Sequence, residues 1–209
     1  FQAGEYVFDA NSTPAQVIDK LSRGDIILRQ VTIAEGKTSA EIVEIINQAP
    51  ELIGTIEKRP AEGSLLPDTY RYVKGETRQS IIDRMQKARI KVMEELWPNR
   101  VEGLPFTTQN EALTLASIVE KETGVPHERT HVAGLYINRL HKGMLLQADP
   151  TVSYGIHGGQ SGVRPLTYAD LKKPNKYNTY MNKGLPPTPI CNAGKEAIAA
   201  VLNPKVHGA

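Results

Sequence analysis

Residues 108–124 read TQNEALTLASIVEKETG, and this stretch decides how the chain folds. Thr108 followed three residues later by Glu111 is a capping box, in which each side chain satisfies a free N–H at the start of a helix. Ala112, Leu113, Leu115, Ala116, Ile118 and Val119 recur at helical spacing. Gly124 and Pro126 end the run. At about 100° per residue, Glu120 falls within about 40° of both Leu113 and Ala116, at one edge of the apolar face, and Lys121 falls opposite its centre. A carboxyl held there is partly desolvated, which disfavours its charged form and suits it to donate a proton. Glu122, on the other edge, is the weaker candidate. A structural role for Glu120 in an ion pair stays open on these residues alone.

Outward from this helix the same logic recurs. VFDANSTPAQVIDKLS (7–22) aligns with TIAEGKTSAEIVEIIN (32–47), pairing Thr13 with Thr38 and Gln16 with Glu41. Each copy reads as a short strand, a polar turn, a Thr cap and an amphipathic helix. Pro14 fits the first helical position, where its missing N–H costs nothing. EGSLLPDTYRYVKGET (62–77) is a loop followed by a strand, and residues 78–97 carry the next long amphipathic helix, stopped by Pro98. A further helix runs over about 128–141 and ends at Gly143. After that the charges thin out. MLLQADPTVSYGIHGG and YNTYMNKGLPPTPICNAG read as loops with aromatic and amide tips, residue types that line carbohydrate clefts by stacking and hydrogen bonding. The fold class is therefore α+β: a small strand-helix module over residues 1–50, then a mixed helical domain with long loops over 51–209.

Composition excludes several classes. The chain has 209 residues and a net charge of +2, too little for a nucleic-acid partner. No apolar run can span a bilayer. The single cysteine, Cys191, has no internal disulfide partner and reads as a small buried hydrophobe. HERTH (127–131) matches the zinc-protease pattern H-E-x-x-H. Zinc binding needs both histidines inside one rigid helix with a third ligand nearby. Gly124-Val125-Pro126 starts a new helix at His127, and His141, Asp149 and His157 follow no zincin spacing, so no metal is expected.

LASIVEKETG, YINRLHKGMLLQADPTVSYG and YNTYMNKGLPPTPICNAG, in this order, resemble the YceG-like family of endolytic murein transglycosylases, and EGSLLPDTY resembles the segment before that family's catalytic helix. The front repeat resembles the family's LysM-like subdomain. The resemblance implies cleavage of peptidoglycan glycan strands between N-acetylmuramic acid and N-acetylglucosamine. The product would carry a 1,6-anhydro end, and Glu120 would serve as acid and then as base. It implies substrate contacts from Gln147, Asp149, Thr151, Tyr154, Asn178 and Tyr180, no cofactor, and cell-wall synthases as partners. Family members carry an N-terminal membrane anchor and continue past Pro204-Lys205 into a strand-rich segment. The expectation is thus the extracytoplasmic, periplasmic part of a single-pass inner-membrane protein, with its anchor removed and its C-terminal segment truncated. A muramidase using Glu120 with Asp149, and a peptidoglycan-binding module without turnover, are the other readings.

Overall fold

The computed structural model describes residues 3–160 and 164–205. The described residues form α1 (Pro14–Arg23), β1 (Arg29–Thr32), α2 (Ser39–Gln48), β2 (Thr69–Tyr72), α3 (Arg78–Leu96), α4 (Gln109–Glu122), α5 (Arg129–His141), α6 (Asp149–His157) and α7 (Lys195–Leu202). The class is α+β, as the sequence pattern predicts. Capping boxes begin α1 at Thr13 and Gln16, α2 at Thr38 and Glu41, and α4 at Thr108 and Glu111. The threonine oxygen takes the third N–H of each helix, and the Glu or Gln side chain takes the cap's own N–H.

The sheet departs from the repeat reading. No strand precedes α1 among the described residues. β1 instead pairs antiparallel with β2, matching Arg29 with Tyr72 and Thr32 with Thr69. Thr32 and Thr69 also join their hydroxyls at 2.9 Å on the exposed face. Their alternate face carries Val31, Tyr70 and Tyr72 into a cluster with Ile42, Ile46, Leu65, Ile81 and Met85. Packing around the second repeat copy therefore continues into α3.

A second cluster forms around α4, where Leu115, Ile118 and Val119 meet Ile137 of α5 and Ile198 and Val201 of α7. Nine consecutive residues of α4, Ala112 to Glu120, are buried. That exceeds what one apolar stripe requires, so the polar side must also be covered. The 190–192 segment covers it. Ser117 Oγ accepts the N–H of Ile190 at 3.0 Å and donates to the Thr114 carbonyl at 2.7 Å. Cys191 lies fully buried with its Sγ 3.3 Å from the Ser117 carbonyl, and burial raises its thiol pKa. One element lies where a loop is expected: Asp149–His157 is helix α6, entered at Asp149-Pro150 and closed by Gly158 in the left-handed region. Lys195–Leu202, beyond the second loop stretch, is helix α7.

Leu115 is fully buried while Ile18 of α1 is 58% exposed. Denaturant unfolding is expected to give a loss of about 2–5 kcal/mol for Leu115→Ala and under about 0.5 kcal/mol for Ile18→Ala.

Candidate active site

The last turn of α4 holds Glu120, Lys121 and Glu122, and its helical geometry sends them to different neighbours. Glu120 points inward, with a side chain only 4% exposed. Its Oε1 accepts from Arg129 Nη2 at 3.1 Å, and its Oε2 accepts the backbone N–H of Gly194 at 2.8 Å. Arg129, the first residue of α5, is equally buried and reaches Glu35 Oε2 at 2.9 Å. One guanidinium is thus shared by two carboxylates. Burial pushes the Glu120 carboxyl above the ordinary range; the Gly194 N–H opposes this, Glu35 adds to it, and Arg129 opposes it. A Cβ at Gly194 would run into the Glu35 carboxylate, so a larger residue there would displace Glu35 from this arrangement.

Lys121 turns the other way. Its Nζ lies 3.4 Å from the Gly36 carbonyl, and it lines two adjoining surface pockets. One, about 360 Å³, runs past Thr38, Ser153, Tyr154 and His157. The other, about 380 Å³, is walled by Glu122, Gln147, Asp149, Pro150 and Tyr180. Gln147 and Tyr180 carry the groove on to a pocket of about 430 Å³ at Tyr168 and Met181. Glu122 is exposed on this wall. Behind it stands Tyr136, whose phenol pKa is raised by burial and by the hydrogen-bonded Glu122 carboxylate.

The six residues expected to hold substrate divide into two sets. Gln147, Asp149, Tyr154 and Tyr180 reach the groove. Gln147 adopts φ of 54°, a left-handed conformation uncommon for a non-glycine residue. Tyr180 donates to Asp149 Oδ1 at 2.6 Å, and this bond is the main reason its pKa is pushed up to about 12. Thr151 and Asn178 are fully buried. Thr151 donates to the Ala148 carbonyl at 2.7 Å and meets Thr179 Oγ1 at 2.8 Å. Asn178 Nδ2 donates to the carbonyls of Leu171 and Lys173, and its Oδ1 accepts from the Tyr180 N–H. These two side chains are therefore not brought to the groove surface, and their hydrogen bonds run to the segments behind it.

Arg129, Glu35 and Gly194 are partners of this cluster that spacing does not reveal, since they converge from three distant segments. His127 lies in the short 3-10 turn Pro126–Glu128, which runs directly into α5 and His131. Glu128 accepts from Thr123 Oγ1 at 2.8 Å, and among the described residues no group of three His, Cys, Asp or Glu is placed to hold a metal.

The YceG-like family profile matches residues 1–209. The chain belongs to the YceG-like family. It is 32% identical to a Bacillus subtilis protein named endolytic murein transglycosylase, with 98% of this chain and 64% of that protein covered. A Streptococcus pneumoniae protein of the same name is 29% identical, covering 90% of this chain and 36% of its own length. The chain thus spans just under two thirds of the first relative and about a third of the second. A crystal structure of a yceG-like protein from Listeria monocytogenes aligns over 94% of this chain and 74% of its own, with a TM-score of 0.68 and 30% identity.

A folded-state pKa raised above the unfolded value of about 4.3 makes stability fall as pH rises through that window. The Glu120 contribution is thus present at acid pH and lost towards neutrality. Denaturant midpoints measured from about pH 4 to 8 are expected to show this decline in the wild type and less of it in Glu120→Gln.

Proposed function

We propose that this chain is the glycan-cleaving part of an endolytic murein transglycosylase, acting on peptidoglycan strands laid along the groove beside the end of α4. The observation that carries this reading is the pairing of an exposed carboxyl, Glu122, with amide and tyrosine side chains in one open groove, in a chain 32% identical to a named endolytic murein transglycosylase.

The resemblance points to the first glutamate of VEKE, Glu120, as the acid. Geometry favours the second. A general acid must reach the glycosidic oxygen at hydrogen-bond distance, and both Glu120 oxygens are already engaged behind the groove wall. Glu122 faces the groove. In this mechanism Glu122 protonates the glycosidic oxygen as the bond to N-acetylglucosamine breaks. The resulting carboxylate then takes the proton from the muramoyl 6-hydroxyl as that oxygen closes on the anomeric carbon. One carboxyl serves twice, and no positioned water is needed.

Glu120 is then a positioning residue that fixes the helix end through Arg129 and Gly194. Gln147, Asp149, Tyr154 and Tyr180 hold sugar hydroxyls and N-acetyl groups, and Thr151 and Asn178 support them. Residues 1–50 act as a LysM-like module that helps hold the strand, and 51–209 as the catalytic part. The activity places the protein in the cell envelope, outside the cytoplasm. No helix among the described residues is long and apolar enough to cross a membrane. The inner-membrane anchor and the partnership with cell-wall synthases belong to this proposal through family resemblance alone.

Asp149 in the same pocket as Glu122 supports a second reading, a muramidase with two carboxylates. Mass spectrometry of products from purified glycan strands separates the readings. The wild type is expected to leave 1,6-anhydro ends; free reducing ends would make it a hydrolase, and binding without products a non-catalytic module. Glu122→Gln is expected to lose about 10²–10⁴-fold in rate while remaining folded, and Glu120→Gln to lose less. The reverse order would return the acid role to Glu120. His127→Ala and His131→Ala are each expected to keep anhydro-product formation in the same assay, and a loss restored by added zinc would revive the metal reading.

A further inference from the structure

A cavity of about 680 Å³ lies beyond the groove and shares Tyr154 with it. Its far wall is the 57–62 segment, which brings Glu57, Lys58, Arg59 and Glu62 to the rim. Tyr154 is the partition. It packs edge-on against Tyr177 with ring centroids 5.0 Å apart, and Glu62 sits against its hydroxyl. Glu62 is fixed from behind, accepting the Ser39 N–H in both oxygens at 3.1 and 3.0 Å at the start of α2. Burial raises its pKa, while the Ser39 N–H and the nearby Arg59 oppose that rise.

The groove holds one cation, Lys121, beside Glu122 and Asp149 among its amide and phenol groups. The cavity rim sets two adjacent cations, Lys58 and Arg59, beside the carboxyls of Glu57 and Glu62. A glycan backbone of N-acetylated sugars is uncharged and gives such a pair of cations no partner. The component of peptidoglycan with both signs of charge is the peptide stem on the muramoyl lactyl group, which bears free carboxylates and the amine of its diamino acid. We infer that this cavity receives the peptide stem of a strand whose sugars lie in the adjoining groove, with Lys58 and Arg59 taking stem carboxylates and Glu57 facing the amine. This rests on reading the substrate as peptidoglycan. Its volume falls in the range of sites for ligands of that size, about 300–1,000 Å³. Lys58 and Arg59 are exposed and carry no core packing, so their replacement leaves the fold intact.

The test compares the wild type with a Lys58→Ala/Arg59→Ala variant on two substrates: strands carrying stems, and strands stripped of stems by an amidase. The variant is expected to lose about tenfold or more in kcat/KM on stem-bearing strands, the scale of a lost charge-assisted contact, and nothing on stripped strands. An equal loss on both would make the cavity a sugar subsite, and no loss on either would leave it without a stem; each outcome overturns the inference. Calorimetry with a free stem tetrapeptide is read alongside. Binding to the wild type that weakens in the variant supports the inference even if neither strand is cleaved, a result that would sink the transglycosylase reading alone. Absence of peptide binding together with unchanged kinetics would sink the stem site while leaving the transglycosylase standing.

Discussion

The guanidinium of Arg129, held between Glu120 and Glu35, is the interaction on which the groove depends. Its side chain is 8% exposed and that of Glu120 is 4% exposed. Burying charges is costly, and a buried pair breaks even only when its geometry and remaining hydrogen bonds are good. Here the Gly194 N–H supplies an extra donor to Glu120, and Glu35, more exposed, supplies the second carboxylate. Removing either buried partner, Arg129 or Glu120, strands the other away from water, so the two work as a unit. What the cluster specifies is geometry. It ties the end of α4 to the start of α5, to the turn before α2 and to the start of α7.

That fixation explains why two glutamates separated by one residue face different surroundings. Residues i and i+2 lie about 200° apart around a helix. With Glu120 drawn inward, Glu122 must face outward, towards Gln147, Asp149 and Tyr180. Lys121 between them is directed along the groove floor. The groove is thus an outcome of the buried cluster, and Tyr136 behind Glu122 extends the same order into α5.

Much of this was legible in residue patterns, and the rest had physical reasons for being hidden. Capping boxes at Thr13, Thr38 and Thr108 are local, requiring three residues and no tertiary contact, and all three form. The apolar periods of α3, α4 and α5 are long enough to read. Helix α6 was hidden because Asp149-Pro150 signals a turn as readily as a helix start, and Gly155 lies inside it. The strand before α1 was read from similarity to the second copy, but pairing is non-local: β1 has β2 as its partner. The edge position of Glu120 was correct by helical angle, yet angle cannot tell a groove edge from a buried one. That distinction came from Arg129 and Gly194, 9 and 74 residues away.

Long-range ties also join the segments around the groove without a large sheet. Asn192 is fully buried and acts as a joint. Its Oδ1 accepts the Leu65 N–H at 3.0 Å, and its Nδ2 donates to the Lys37 carbonyl and to Ser39 Oγ, each at 3.1 Å. Its backbone N–H donates to Lys37 and its carbonyl accepts from Gly36. All three of its N–H donors are spent on residues 37–39, and its two oxygens accept from Gly36 and Leu65. Thr38 adds a bond from its hydroxyl to the Gly159 carbonyl beyond α6. Since buried polar groups must be paired, sliding the front turn away would expose or strand several of these groups together. The turn that carries Glu35 to Arg129 is therefore held by independent hydrogen bonds on both flanks, and the charge cluster forms in a frame that is already fixed.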